Sequence, residues 1–204
     1  MNSNWAEENL QTIRTLMERS TVYRRAIAPI ALFAGSVGIL AAGIGLVFEL
    51  ETPLGFGLVW LIAAIVAITG AFFIVRRQAV KAGEPFWSPP TRRVAQILLP
   101  PMTAGMFVGF AFTYANHGNA SVFLPFLWAL FYGCALHSAG FFMPRGVRLF
   151  GWVYILATIV IVIGLLIIKP PGFSAHWVMG FLFGVLHFGY GTYLYLTEKG
   201  KNAA

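Results

Sequence analysis

Two histidines stand inside long apolar runs, His137 in the stretch FYGCALHSAGFF and His187 in GFLFGVLHFGY. An ionisable side chain placed in hydrocarbon is costly and is a functional hypothesis by default. If the two runs are neighbouring helices, both imidazoles can face each other. Such a pair supports bis-histidine haem ligation, a proton relay or a seat for an acidic headgroup. The structural alternative is that each ring hydrogen-bonds a backbone carbonyl, a Tyr or a Ser on a neighbouring helix, with Ser138, Tyr132 and Tyr190 in reach along the sequence. His137 and His187 are therefore the cofactor-binding candidates; the identity of the cofactor is left open, with haem one that such a pair could ligate.

Other catalytic constellations fail on inventory. The chain has no Asp, and none of its seven Glu falls in an apolar run, so paired-carboxylate acid–base work inside a membrane has no residues. A Ser–His dyad would lack the usual carboxylate that orients the imidazole. No HExxH, GxSxG or phosphate-loop pattern occurs. The single cysteine, Cys134, excludes an intramolecular disulfide and a Cys-based zinc site. His117 and His176 could meet a metal together with Glu49 or Glu51, which is a grouping by composition and not a motif. The inventory leans away from an enzyme.

The elements that would carry these residues are set by composition. Of 204 residues 58% are hydrophobic and 10% charged, against about 25% charged in an ordinary soluble domain. The mean hydropathy is +0.76. Six runs without Asp, Glu, Lys or Arg, at 26–48, 54–75, 94–115, 122–143, 149–168 and 174–196, match the roughly 20 residues a helix needs to cross hydrocarbon. They are continuously apolar, not alternating, so they predict helices and not barrel strands. The fold class expected is all-α: a polytopic membrane protein with six transmembrane helices. Its segments are a cytoplasmic or interfacial stretch 1–25, a membrane domain 26–196 and a short cytoplasmic tail 197–204. Pro29, Pro53 and Pro125 fall near predicted helix starts, where a missing N–H costs little. Pro100 and Pro101 lie inside the third run and predict a kink or a later start.

Thirteen of the fourteen Lys and Arg residues fall on one side of this topology, and only Lys169 lies opposite. The positive-inside rule then places both termini in the cytoplasm. The net charge of +7 is explained by topology and by attraction to anionic lipid, with no nucleic-acid partner. No secretory-signal pattern is seen, and the first run itself is expected to target the chain.

Residues 4–22 predict a short amphipathic helix, with Leu10, Ile13 and Met17 on one face. The connection 76–93 carries Arg76, Arg77, Trp87, Arg92 and Arg93, residues suited to headgroup depth. Together these eight residues form the expected interface with lipid or with a protein partner. Small residues predict close helix contacts: Ala34, Gly38 and Ala42; Ala63, Ala67 and Ala71; Gly105 and Gly109; Ala129 and Gly133; Gly180 and Gly184. The aliphatic fifth run is expected at the perimeter, and Trp152 and Tyr154 at its start are expected at headgroup depth.

The stretches ENLQTIRTLMERSTVYRRAIAP, EPFWSPPTRRVAQILLPP and YGCALHSAGFFMPRGVRLFGW resemble a set of uncharacterised bacterial multi-pass integral membrane proteins of about this length. The resemblance implies a bacterial inner membrane and carries no catalytic residue with it. The function expected is a non-enzymatic accessory or small-ligand/lipid-binding subunit. Two alternatives stand beside it: an intramembrane redox or proton-handling protein using His137 and His187, and a small oligomeric transporter. The partners expected are the lipid bilayer and a protein partner or a second copy of the chain.

Overall fold

The computed structural model describes residues 26–83, 85–114, 120–168 and 174–202. The stretch containing Leu10, Ile13 and Met17 and the residue His117 lie outside the described residues. Most of those described are helical, with no strand among them. The order is α1 (Ala26–Val47), α2 (Pro53–Lys81), α3 (Pro89–Tyr114), α4 (Ala120–Ala139) and α5 (Arg145–Ile168). A final helical stretch follows as α6 (Ala175–Met179), a π-helical segment (Gly180–Leu186) and α7 (His187–Asn202). Four helices, α1, α2, α3 from Thr91 and α5, are long and apolar enough to cross a membrane.

Local chemistry sets the ends. Thr52 caps α2 by accepting from Gly55 N–H at 3.1 Å, and Pro53 follows at the first helical position. α1 closes with Glu49 in the left-handed region (φ 51°), while Leu50 N–H reaches back to the Gly45 carbonyl at 3.0 Å. This is a Schellman closure with Glu at the position glycine usually holds. α3 starts at Pro89, earlier than the sequence boundary of 94, and runs unbroken through Pro100 and Pro101. The Thr103 hydroxyl lies 3.0 Å from the Leu99 carbonyl and 2.9 Å from that of Pro100, back-bonding onto the turn that the prolines weaken.

Glycine lets the backbones meet where two helices run closest. A Cβ at Gly38 of α1 would stand 2.5 Å from the Phe183 carbonyl oxygen, and one at Gly184 would stand 3.0 Å from Ile39 N. α4 and α5 form a hairpin joined by residues 140–144. There a Cβ on Gly151 would stand 2.5 Å from His137 N, and one on Gly140 would stand 2.5 Å from the Arg148 backbone. Without an apolar-to-water driving force between helices in lipid, such close contact is what packing energy requires. The expected small-residue contacts at Gly38, Ala42, Gly180 and Gly184 meet here, since a Cβ on Gly180 would stand 2.7 Å from that of Ala42.

Two apolar clusters form the core. One gathers Ala41, Ala42, Phe56, Trp60, Ala63, Leu124, Ala175 and Met179, and the other Ala129, Phe150, Tyr154, Val178 and Leu182. The fifth helix differs from its sequence expectation. Its first half supplies Val147, Phe150, Tyr154 and Thr158 to the interior, and only its second half, from Ile159, is largely exposed. α2 is the more peripheral helix: 6% of its apolar span is buried, against 33% for α1.

Candidate functional site

Tyr132 on α4, Tyr154 on α5 and His187 at the start of α7 converge on one point. The Tyr132 hydroxyl is 2.7 Å from His187 Nε2, and the Tyr154 hydroxyl is 2.7 Å from His187 Nδ1. The Tyr154 hydroxyl also donates to the Leu182 carbonyl inside the π-helical segment. A carbonyl can only accept, so that bond takes the one proton of Tyr154. Toward the imidazole Tyr154 must then accept, which puts the ring proton on Nδ1. Nε2 is left as an acceptor for the Tyr132 O–H. The result is a directed chain from Tyr132 through His187 and Tyr154 to Leu182, with both imidazole nitrogens occupied.

The sequence places these groups for identifiable reasons. Val147, Phe150, Gly151, Tyr154 and Thr158 recur three or four residues apart and so share one face of α5. The Thr158 hydroxyl is satisfied within its own helix by the Tyr154 carbonyl at 2.7 Å. In the π-helical segment the ladder slips from one residue spacing to the next, a distortion frequent at functional sites, and it leaves the Leu182 carbonyl aimed at Tyr154. Phe150, Phe183 and both tyrosine rings pack on the imidazole at centroid distances of 5.3 to 6.2 Å.

A second buried histidine has the opposite tautomer. His176 is fully buried, and its Nδ1 accepts from Trp60 Nε1 at 3.1 Å. Indole N–H is only a donor, so Nδ1 carries no proton and Nε2–H donates to the Leu50 carbonyl at 3.2 Å. The ring fits against Gly45, where any Cβ would overlap it, and tilts onto Phe56 at 4.9 Å. It thus ties the end of α1, the start of α2 and α6 together. Glu49 and Glu51 are exposed beside Leu50 and are not partners of the ring, and no cluster of three metal-ligating side chains occurs among the described residues.

His137 has different surroundings. Its ring packs edge-on to Phe141 at 5.5 Å and to Trp152 at 5.3 Å. Its Nδ1 is buried and meets no hydrogen-bond partner among the described residues. Among the described residues, no ring that packs on His137 also packs on His187. His187 therefore has no open nitrogen to offer an axial iron while its two tyrosines are in place, and a haem held by both rings does not fit this arrangement.

At the α2–α3 connection, Arg76, Arg77, Trp87, Arg92 and Arg93 are all exposed. Phe86 packs edge-on to Phe72 at 4.9 Å, and the Thr91 hydroxyl donates to the Phe86 carbonyl at 3.0 Å, which folds this turn back on α2. The tryptophan and the arginines are brought to one end of the helix pair.

The sequence reading missed Tyr154, Trp60 and the role of His176. Tyr154 is fully buried within the bundle and does not lie on its outer surface. The signal available for it was the pair Tyr154 and Thr158, the only polar side chains of α5 beyond its first turn apart from the Trp152 indole, one helical turn apart on an otherwise apolar helix. Comparison of the chain with protein-family models, with curated proteins and with solved structures finds no match.

Proposed function

We propose that the chain is a six-span membrane protein with both termini on the cytoplasmic side, acting as a non-enzymatic accessory or small-ligand/lipid-binding subunit. The observation that supports this reading is the use made of the buried polar groups. His176 and His187 spend both ring nitrogens on hydrogen bonds to other helices and, at Leu50, to the turn between α1 and α2. They hold the bundle together and present no reactive atom. The six helical stretches lie where the six apolar runs lie, and the one-sided distribution of Lys and Arg supports the orientation. A Cys134→Ser background with a single cysteine at Lys199 tests the topology: a membrane-impermeant thiol reagent is expected to label it only from the cytoplasmic side. Native mass spectrometry from mild detergent tests the subunit role. A retained lipid, metabolite or protein supports it, whereas a bound haem or an intrinsic turnover contradicts it.

A second reading, proton handling within the membrane, is favoured by the directed chain Tyr132–His187–Tyr154. Against conduction stands its end at the Leu182 carbonyl, which accepts a hydrogen bond but has no proton to pass on. Proton flux in liposomes that is lost in His187→Gln, and absent from protein-free vesicles, would establish this reading.

A further inference from the structure

The end of the α4–α5 hairpin holds a set of groups that the bundle does not use. Arg148, in the first turn of α5, sets its guanidinium over the Phe141 ring at 5.2 Å from the centroid. Arg145, at the first position of the same helix, is exposed. No Glu occurs between Glu84 and Glu198 and the chain has no Asp, so neither arginine has an acidic neighbour in this region of the sequence. His137 stands in the last turn of α4 with its Nδ1 buried and unmet among the described residues. An orphaned buried N–H is the costlier of the two ways to leave a nitrogen unpaired. The ring proton is therefore best placed on Nε2, the nitrogen that the packing does not bury. Around these donors Phe141 is 64% exposed and Trp152 47%.

We propose that this hairpin end is a seat for the headgroup of one anionic phospholipid, its phosphate taken by the Arg145 and Arg148 guanidiniums with His137 Nε2–H as a further donor. Guanidinium presents paired N–H groups that match a phosphate. The apolar part of the ligand is what selects lipid over a free anion: exposed aromatic rings flank the cations, and below them the outward side chains Leu149, Val153 and Leu156 offer a lipid-facing surface for the acyl chains. Close packing at Gly140 and Gly151 fixes the geometry, since it sets Arg148 against the residue just past α4 and His137 against α5.

The seat rests on the membrane-spanning reading, which resistance of the protein to carbonate extraction tests separately. The seat itself is tested on the whole chain by native mass spectrometry after delipidation, titrating dioleoylphosphatidylglycerol or dioleoylphosphatidylcholine. The wild type is expected to retain one phosphatidylglycerol in preference to phosphatidylcholine, and a large excess of inorganic phosphate is expected not to displace it. Arg145→Gln/Arg148→Gln is expected to weaken retention on the order of twentyfold, while Lys81→Gln leaves it unchanged. Equal retention of both lipids, displacement by phosphate, or wild-type retention in the double variant overturns the seat. The comparison of the two lipids on the wild type decides the matter by itself if the double variant does not fold.

Discussion

Tyr154 serves two partners with one hydroxyl: it donates to the Leu182 carbonyl and accepts from His187 Nδ1–H at 2.7 Å. The bond to the carbonyl fixes the direction of every other bond in the cluster. α5 is joined in this way to the π-helical segment and to α7, and through His187 to Tyr132 of α4. The buried imidazole is one tie in a lattice of helix contacts.

Removing that hydroxyl leaves two buried polar groups unmet. Tyr154→Phe is expected to destabilise the protein by about 1–3 kcal/mol, and Tyr132→Phe, which removes a single bond, by about 0.5–1.5 kcal/mol. Reversible unfolding in mixed micelles checks the order. Equal losses would show that the bond to Leu182 contributes nothing.

The second tie depends on space at Gly45. Gly45→Ala is expected to push the His176 ring away from Trp60 and to cost about 1–3 kcal/mol, because a Cβ there overlaps the imidazole. Gly43→Ala, where a Cβ meets nothing within 4 Å, is the matched control and is expected to be neutral or slightly stabilising. Thermal melts of the two variants side by side make the comparison.

Trp60→Phe keeps an aromatic ring in the core and removes only the indole donor and part of the ring. The loss expected is about 1–2 kcal/mol, with His176 Nδ1 left without a donor. The Trp60→Phe/Gly45→Ala double variant is expected to lose less than the sum of the two single changes, because both break the same bond.

Glu49 holds a left-handed backbone at the end of α1 with a side chain that disfavours it. Glu49→Gly is expected to raise stability by about 1 kcal/mol, and Glu49→Val to lower it. Because Leu50 follows directly and its carbonyl receives His176 Nε2–H, the change also tests how well this turn supports the second tie.

The helices themselves were legible because hydrophobicity in a membrane protein is written along the chain. α1, predicted at 26–48, runs Ala26–Val47, and α5, predicted at 149–168, runs Arg145–Ile168. The boundaries that moved did so for local reasons. α2 continues past 75 through Arg76 and Arg77 to Lys81, since a helical ladder does not need apolar side chains and long cationic ones reach toward the interface. What could not be read was rotation about each helix axis. Tyr154 next to Trp152 looks like an interfacial pair in sequence, yet the two are 160–200° apart on a helix of 3.6 residues per turn, at roughly 100° per residue. One faces the bundle and the other its outside, and only the close approach at Gly133 and Gly151 decides which. The same uncertainty hid Tyr154 as a partner of His187, although Tyr132 stood among the partners the sequence offered, and no proline or other residue in GFLFGVL announces the π-helical segment that aims Leu182 at Tyr154.

The measurement that tests most directly whether the buried histidines are internal ties is a long-range nitrogen–proton correlation spectrum of the protein labelled with nitrogen-15 histidine in micelles. The account predicts two neutral imidazoles of opposite tautomer at neutral pH, His187 protonated at Nδ1 and His176 at Nε2, each assigned by loss of its signal in a His→Gln variant. Finding His187 protonated at Nε2, or its signals shifted by added haem in the intact protein, would contradict it.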